Sequence, residues 1–103
     1  MTLGNWLAER AAASPPRLAE RIQEMLGARN AADVADAPAL CVDAAAELLA
    51  DLLVRPTAGR ELALELLTVD ALVTYAFEAA AAQPKTLEST ATAAMLRLSR
   101  VAT

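Results

Sequence analysis

The sequence predicts an all-α fold, a compact and mostly antiparallel bundle of four to five helices in a single domain, residues 1–103. Three observations carry this. Hydrophobic residues make up 56% of the chain, yet it has one tryptophan, one tyrosine, one phenylalanine and three glycines. Much of the apolar content is alanine, the best helix former, whereas sheets favour β-branched and aromatic residues. Proline and glycine then divide the chain into segments whose apolar residues recur at helical spacing. Finally, the segment from Ala58 to Ala82 is apolar almost all the way round, as expected of a bundle's central helix.

The first helix is expected from Leu3 to Ala13, with Thr2 as N-cap and Leu3, Trp6, Leu7 and Arg10 on one face. Ser14-Pro15-Pro16 ends it and starts the second, with serine as cap and proline in the first turn. This second helix carries Leu18, Ile22, Met25 and Leu26 on one side. Arg17 with Glu20 and Arg21 with Glu24 make i,i+3 pairs on the other, and Gly27 is its stop. Residues 28–35 read as a loop or a single turn, because Asn30, Asp33 and Asp36 compete with the backbone.

The third helix is expected over Ala37–Val54, capped by Asp36, with Leu40, Cys41, Ala44, Ala45, Leu48, Leu49 and Leu52 on a broad apolar face. Arg55-Pro56 stops it, since a residue before proline avoids the helical region. Thr57 then caps the long fourth helix. On a wheel of about 100° per residue, Leu62, Leu66, Val69, Val73, Phe77 and Ala80 form one stripe, expected to be the core face. Its polar residues change sides: Glu61, Glu65 and Thr68 lie together in the first half, and Asp70, Thr74 and Glu78 lie nearly opposite in the second. That shift predicts different neighbours on either side of Val69. Gln83-Pro84 ends the fourth helix, and Thr86 caps a fifth, Leu87–Val101, with Leu87, Ala91, Ala94, Met95, Leu98 and Val101 on one face. At about 1.5 Å per residue the fourth helix spans about 37 Å and the third and fifth about 25 Å. The third and fifth are therefore expected along part of the fourth, with the two N-terminal helices closing the remainder.

Composition narrows the function classes. The net charge is −4, and the nine cations, eight of them arginine, are scattered rather than clustered. This disfavours nucleic acid or an anionic membrane as a partner. Arginine over lysine, with abundant alanine, is associated with GC-rich bacterial genomes. Residues 1–14 lack the basic-then-apolar order of a signal peptide, and Glu65, Asp70 and Glu78 interrupt the one segment long enough to span a bilayer. A cytoplasmic protein is expected. The single cysteine, Cys41, reads as a small core hydrophobe, and with no histidine the commonest acid–base residue is missing.

Three features are weighed as sites. Asp43, Glu47 and Asp51, four residues apart on the third helix, are weak candidates for a cation such as Mg²⁺ or Ca²⁺ and more simply a solvated face. Asp70, in the middle of the most apolar helix, is expected to pair structurally, for example with Arg97 or Arg55, or else to be exposed. Trp6 on its short helix covers the core or anchors a partner, and Tyr75 is a second weak partner-binding candidate. No catalytic set, zinc spacing or phosphate loop is found.

The run Val69-Asp70-Ala71-Leu72-Val73-Thr74-Tyr75-Ala76-Phe77-Glu78, within residues 61–80, resembles one helix of the trans-isoprenyl diphosphate synthases, where a stretch reading roughly G-D-A-L-L-x-x-A-F-E is common. The family's glycine is Val69 here. The likeness covers about a fifth of the chain and implies a similar packing role for this helix, or a small noncatalytic relative. The family's two D-D-x-x-D-type motifs for Mg²⁺-diphosphate have no counterpart, so no catalytic residue or cofactor carries over.

The expected function is a noncatalytic helical protein, an accessory, adaptor or oligomerising subunit that docks to a protein partner or its own copy through an apolar helix face. The alternative is a binder of an apolar, lipid- or prenyl-like molecule in a cavity near Tyr75 and Phe77. A Mg²⁺-dependent enzyme ranks third.

Overall fold

Proline and glycine mark most of the helix boundaries in the computed structural model, which describes residues 1–102. The α-helices are α1 (Leu3–Arg10), α2 (Pro16–Leu26), α3 (Ala37–Val54), α4 (Gly59–Ala81) and α5 (Leu87–Ser99), with short 3₁₀ turns between them. Thr2 caps α1 as expected, accepting from the Asn5 N–H at 3.2 Å. Gly27 follows α2 at φ +53°, a conformation that side chains disfavour. Residues 28–35 lie mostly in two 3₁₀ turns, Gly27–Ala31 and Val34–Asp36. Asn30 Nδ2 donates to the Gln23 and Gly27 carbonyls, and Asp33 accepts from the Ala35 N–H.

Four expected caps are not made. Pro15 rather than Ser14 occupies the N-cap of α2, and Asp36 makes no side-chain bond at α3. Thr57 donates instead to the Arg55 carbonyl, and Thr86 to that of Gln83. Ala58 rather than Thr57 occupies the N-cap of α4, and Thr86, at the N-cap of α5, makes no side-chain cap bond.

Helices α3 and α4, joined by residues 55–58, form an antiparallel hairpin that supplies the largest interface of the fold. Ala44 and Ala45 of α3 and Ala76 and Ala79 of α4 are buried in one core cluster with Cys41, Val42 and Leu72. Leu3 and Leu7 of α1, Ile22 and Leu26 of α2 and Ala94 of α5 complete that cluster from outside the hairpin. No strand occurs among the described residues; Thr2 and Asp33 make one isolated bridge.

The stripe expected to be the core of α4 is so only in part: Ala80 is buried and Val69 and Val73 pack against the core, but the face turned furthest inward is a different one. The buried residues are Glu65, Thr68, Leu72, Ala76, Ala79 and Ala80, whereas Leu66 is 48% and Phe77 36% exposed. The helix is rotated by about 90° from the sequence expectation. Small side chains account for this: Ala76 and Ala79 of α4 share the core with Ala44 and Ala45 of α3, and small side chains let two helices approach closely. Met95, expected in the core of α5, is likewise exposed, at 69%.

Turning α4 this way brings two polar residues inward, and both are satisfied. The Thr68 hydroxyl donates to the Leu64 carbonyl at 2.8 Å. Glu65, 6% exposed, accepts from Arg21 Nε through both oxygens, at 3.1 and 3.0 Å. Burial lowers the Arg21 pKa, but hydrogen bonds and charge from Glu65 and Glu24 outweigh it, so the guanidinium stays charged. The i,i+3 pairs Arg17–Glu20 and Arg21–Glu24 form as expected, at 3.5 and 3.3 Å. The neighbours of α4 do change along its length: Arg21 of α2 meets Glu65, while Trp6 and Arg10 of α1 meet Tyr75 and Glu78.

Two stability measurements test this packing. In urea titrations Leu72→Ala will cost about 3 kcal/mol by opening a cavity, and Leu66→Ala under about 1 kcal/mol. Arg21→Ala, which strands the buried Glu65 carboxylate, will cost about 3 kcal/mol. The double change Arg21→Met with Glu65→Leu will regain most of that loss.

Candidate functional site

The rotation of α4 creates an outward face. Ala63, Leu66, Leu67, Asp70, Thr74 and Phe77 are all exposed and fall within about 100° of one another on the helix, with half-buried Val73 at the edge. Leu67 is 54% exposed. From Ala63 to Phe77 the face is about 21 Å long. Leucines and phenylalanine grouped on one exposed helix face lose contact with water on docking, worth about 25 cal/mol per Å² of apolar surface.

Asp70 lies at the midpoint of this face. It is exposed, not buried, and the two arginines expected to pair with it are engaged elsewhere. Arg97 holds Asp43 at 3.4 Å, and Arg55 holds Asp51 at 2.8 Å and Glu61 at 3.2 Å. Among the described residues no ion pair reaches Asp70. The Thr74 hydroxyl donates to the Asp70 backbone carbonyl at 2.9 Å, so that polar group is satisfied within the helix.

The acids of the α3 ladder are distributed rather than gathered. Asp43 goes to Arg97 of α5, Glu47 to Arg29 of the turn after α2, and Asp51 to Arg55 at the end of its own helix. Each carboxylate therefore already meets a cation. Among the described residues no group of three or more His, Cys, Asp or Glu is placed to hold a metal ion.

Trp6 and Tyr75 meet each other. Their rings cross edge to face, with centroids 6.2 Å apart and planes at 81°. The Arg10 guanidinium lies over the indole at 4.9 Å from its centroid and reaches Glu78 at 3.3 Å. This arrangement fastens α1 to the second half of α4.

Among the described residues, two surface hollows are lined away from Tyr75 and Phe77, near which the small-molecule reading expects a cavity. One, of about 590 Å³, lies between the start of α3 and α5, with Ala39, Val42, Ala93 and Ala94 among its lining and the Asp43–Arg97 pair on its wall. The other, of about 300 Å³, lies between α1 and α2 beside Leu7, Ala11 and Ile22.

Cys41 is fully buried, and its thiol is pushed up from 9.0 to about 11 by burial, with Arg29 pulling weakly the other way. A thiol kept neutral and out of solvent is a poor nucleophile at neutral pH. No described helix is long and apolar enough to cross a membrane.

The site residues that sequence reasoning missed are Ala63, Leu66, Leu67 and Phe77 as an exposed set, since two of them had been assigned to the core. An apolar helix carries no signal for which apolar side faces out. The Arg21–Glu65 clasp was also unforeseen, because i,i+3 spacing already gave Arg21 a partner.

The Cys41 environment has a pH consequence. Its folded pKa lies above the unfolded value, so this group's stabilising contribution is complete below pH 9 and is lost as pH rises through about 11. Urea midpoints measured from pH 8 to 11 will fall over that window in the native chain and fall less in Cys41→Ala. Labelling of Cys41 by a thiol reagent at pH 8 will be slow and will accelerate with unfolding.

Compared with known family models, curated proteins and solved structures, this chain shows no match.

Proposed function

We propose that this chain is a noncatalytic accessory or adaptor protein of the cytoplasm that docks to a protein partner through the outer face of α4. The exposure of Leu66, Leu67 and Phe77 on one helix face carries the reading. Scattered single hydrophobes are ordinary on a protein surface, but several on one rigid helix form a patch that docking would cover. The side chains with chemical potential support it from the other direction. Cys41 is sealed in the core, and the acids of the α3 ladder are each held by an arginine. What the surface offers is shape and apolar area on a helix, the currency of helix-on-helix recognition.

The reading is tested by photocrosslinking in the native cell. A photoreactive residue at position 66 or 67 will give a discrete protein adduct, and the same residue at position 20, on the exposed side of α2, will not. Leu66→Glu will lower the yield from position 67 at least several-fold. No adduct from either α4 position would remove the proposal.

A further inference from the structure

Helices α3 and α4 carry seven acids: Asp43, Glu47, Asp51, Glu61, Glu65, Asp70 and Glu78. Six of them hold an arginine, drawn from α1, α2, the turn after α2, the α3–α4 junction and α5. Among the described residues Asp70 is the exception, and it is the one centred on the exposed apolar face. A charge in the middle of a docking surface must be met by an opposite charge or lose its hydration without return.

The placement of Asp70 also bears on who the partner is. Asp70 is the midpoint of α4 itself, Gly59–Ala81, and of the face from Ala63 to Phe77. A second copy covering the whole face by antiparallel two-fold pairing would set one Asp70 against the other. Each copy also carries a net charge of −4. Like charges brought together in an interface oppose association.

We infer that the face accepts an amphipathic helix of a different protein, whose apolar stripe carries one lysine or arginine at its centre to pair with Asp70. Four turns of such a helix, about 14 residues, match the 21 Å face. Apolar partner residues at i±3 and i±4 from the cation would lie against Leu66, Leu67, Val73 and Phe77. This inference rests on the docking reading above and adds to it the chemistry of the partner.

The test uses the full chain and three labelled 18-residue helical peptides with one leucine–alanine stripe, differing only at its central position: Arg, Gln or Glu. Fluorescence anisotropy at low salt will show the Arg peptide binding about tenfold tighter than the Glu peptide, with Gln between. Asp70→Asn will flatten the series and Asp70→Lys will reverse it; both changes are at an exposed position, and circular dichroism will verify the fold. Leu66→Glu will weaken all three. Equal binding of the peptides, or an order unchanged by Asp70→Lys, would overturn the charge pairing, while the docking reading would still be judged from the adducts at positions 66 and 67. Binding by none of the peptides would overturn the inference as well. A dimer of the native chain in light scattering, abolished by Leu66→Glu, would make the second copy the occupant and overturn it too.

Discussion

The contact between the small faces of α3 and α4 governs the rest of this molecule. Ala44 and Ala45 on one helix and Ala76 and Ala79 on the other share the core, and close packing there fixes the rotation of α4. Everything distinctive follows from that rotation. Glu65 and Thr68 are carried inward, and Leu66, Leu67 and Phe77 are carried outward. The inward acid needs a cation, which α2 supplies as Arg21. The outward hydrophobes keep about a third to a half of their surface open to water, and they become the candidate docking face.

Around the hairpin, ion pairs repeat one polarity. Carboxylates lie on α3 and α4, and the arginines that reach them across the fold come from the flanking elements: Arg10, Arg21, Arg29 and Arg97. Exposed pairs of this kind contribute at most about 1 kcal/mol each. Their effect is to set where the outer elements sit on a hairpin whose alanine-rich surface offers few knobs to register them. Arg21–Glu65 differs because Glu65 is buried and bonded through both oxygens, so losing Arg21 leaves a buried charge unmatched.

The one thiol is held out of solvent, while the candidate docking face is open to it. The thiol of Cys41 lies in the core beneath the alanine contact, and the aromatic pair Trp6–Tyr75 is used to hold α1 in place. On the outside, Asp70 interrupts an apolar helix face at its middle. A lone charge at that position lowers affinity for any purely apolar partner and for a second copy, while leaving open a partner that brings a cation. Specificity by exclusion costs some binding strength and gains selectivity.

The helices and most of their ends are encoded locally along the chain. The all-α class, the α3 boundaries at Ala37 and Val54, the stops at Gly27 and Pro56 and the Thr2 cap were legible, because backbone restriction by proline and glycine acts locally. The arginine pairs within α2 were legible for the same reason. Other caps differ because the N-cap position of α4 falls on Ala58, one residue after Thr57, and the hydroxyl of Thr86 makes no cap bond, details that propensity alone does not rank. Only the tertiary structure decided which way α4 faces. Its wheel offers a large apolar stripe at Leu62–Ala80 and a smaller, partly polar one at Glu65–Ala79, and hydrophobicity favours the first. Alanine on α3 selects the second, because fit is a property of two surfaces together and neither helix encodes it alone. The candidate site, Leu66, Leu67, Asp70 and Phe77 in the open, is the consequence of that choice.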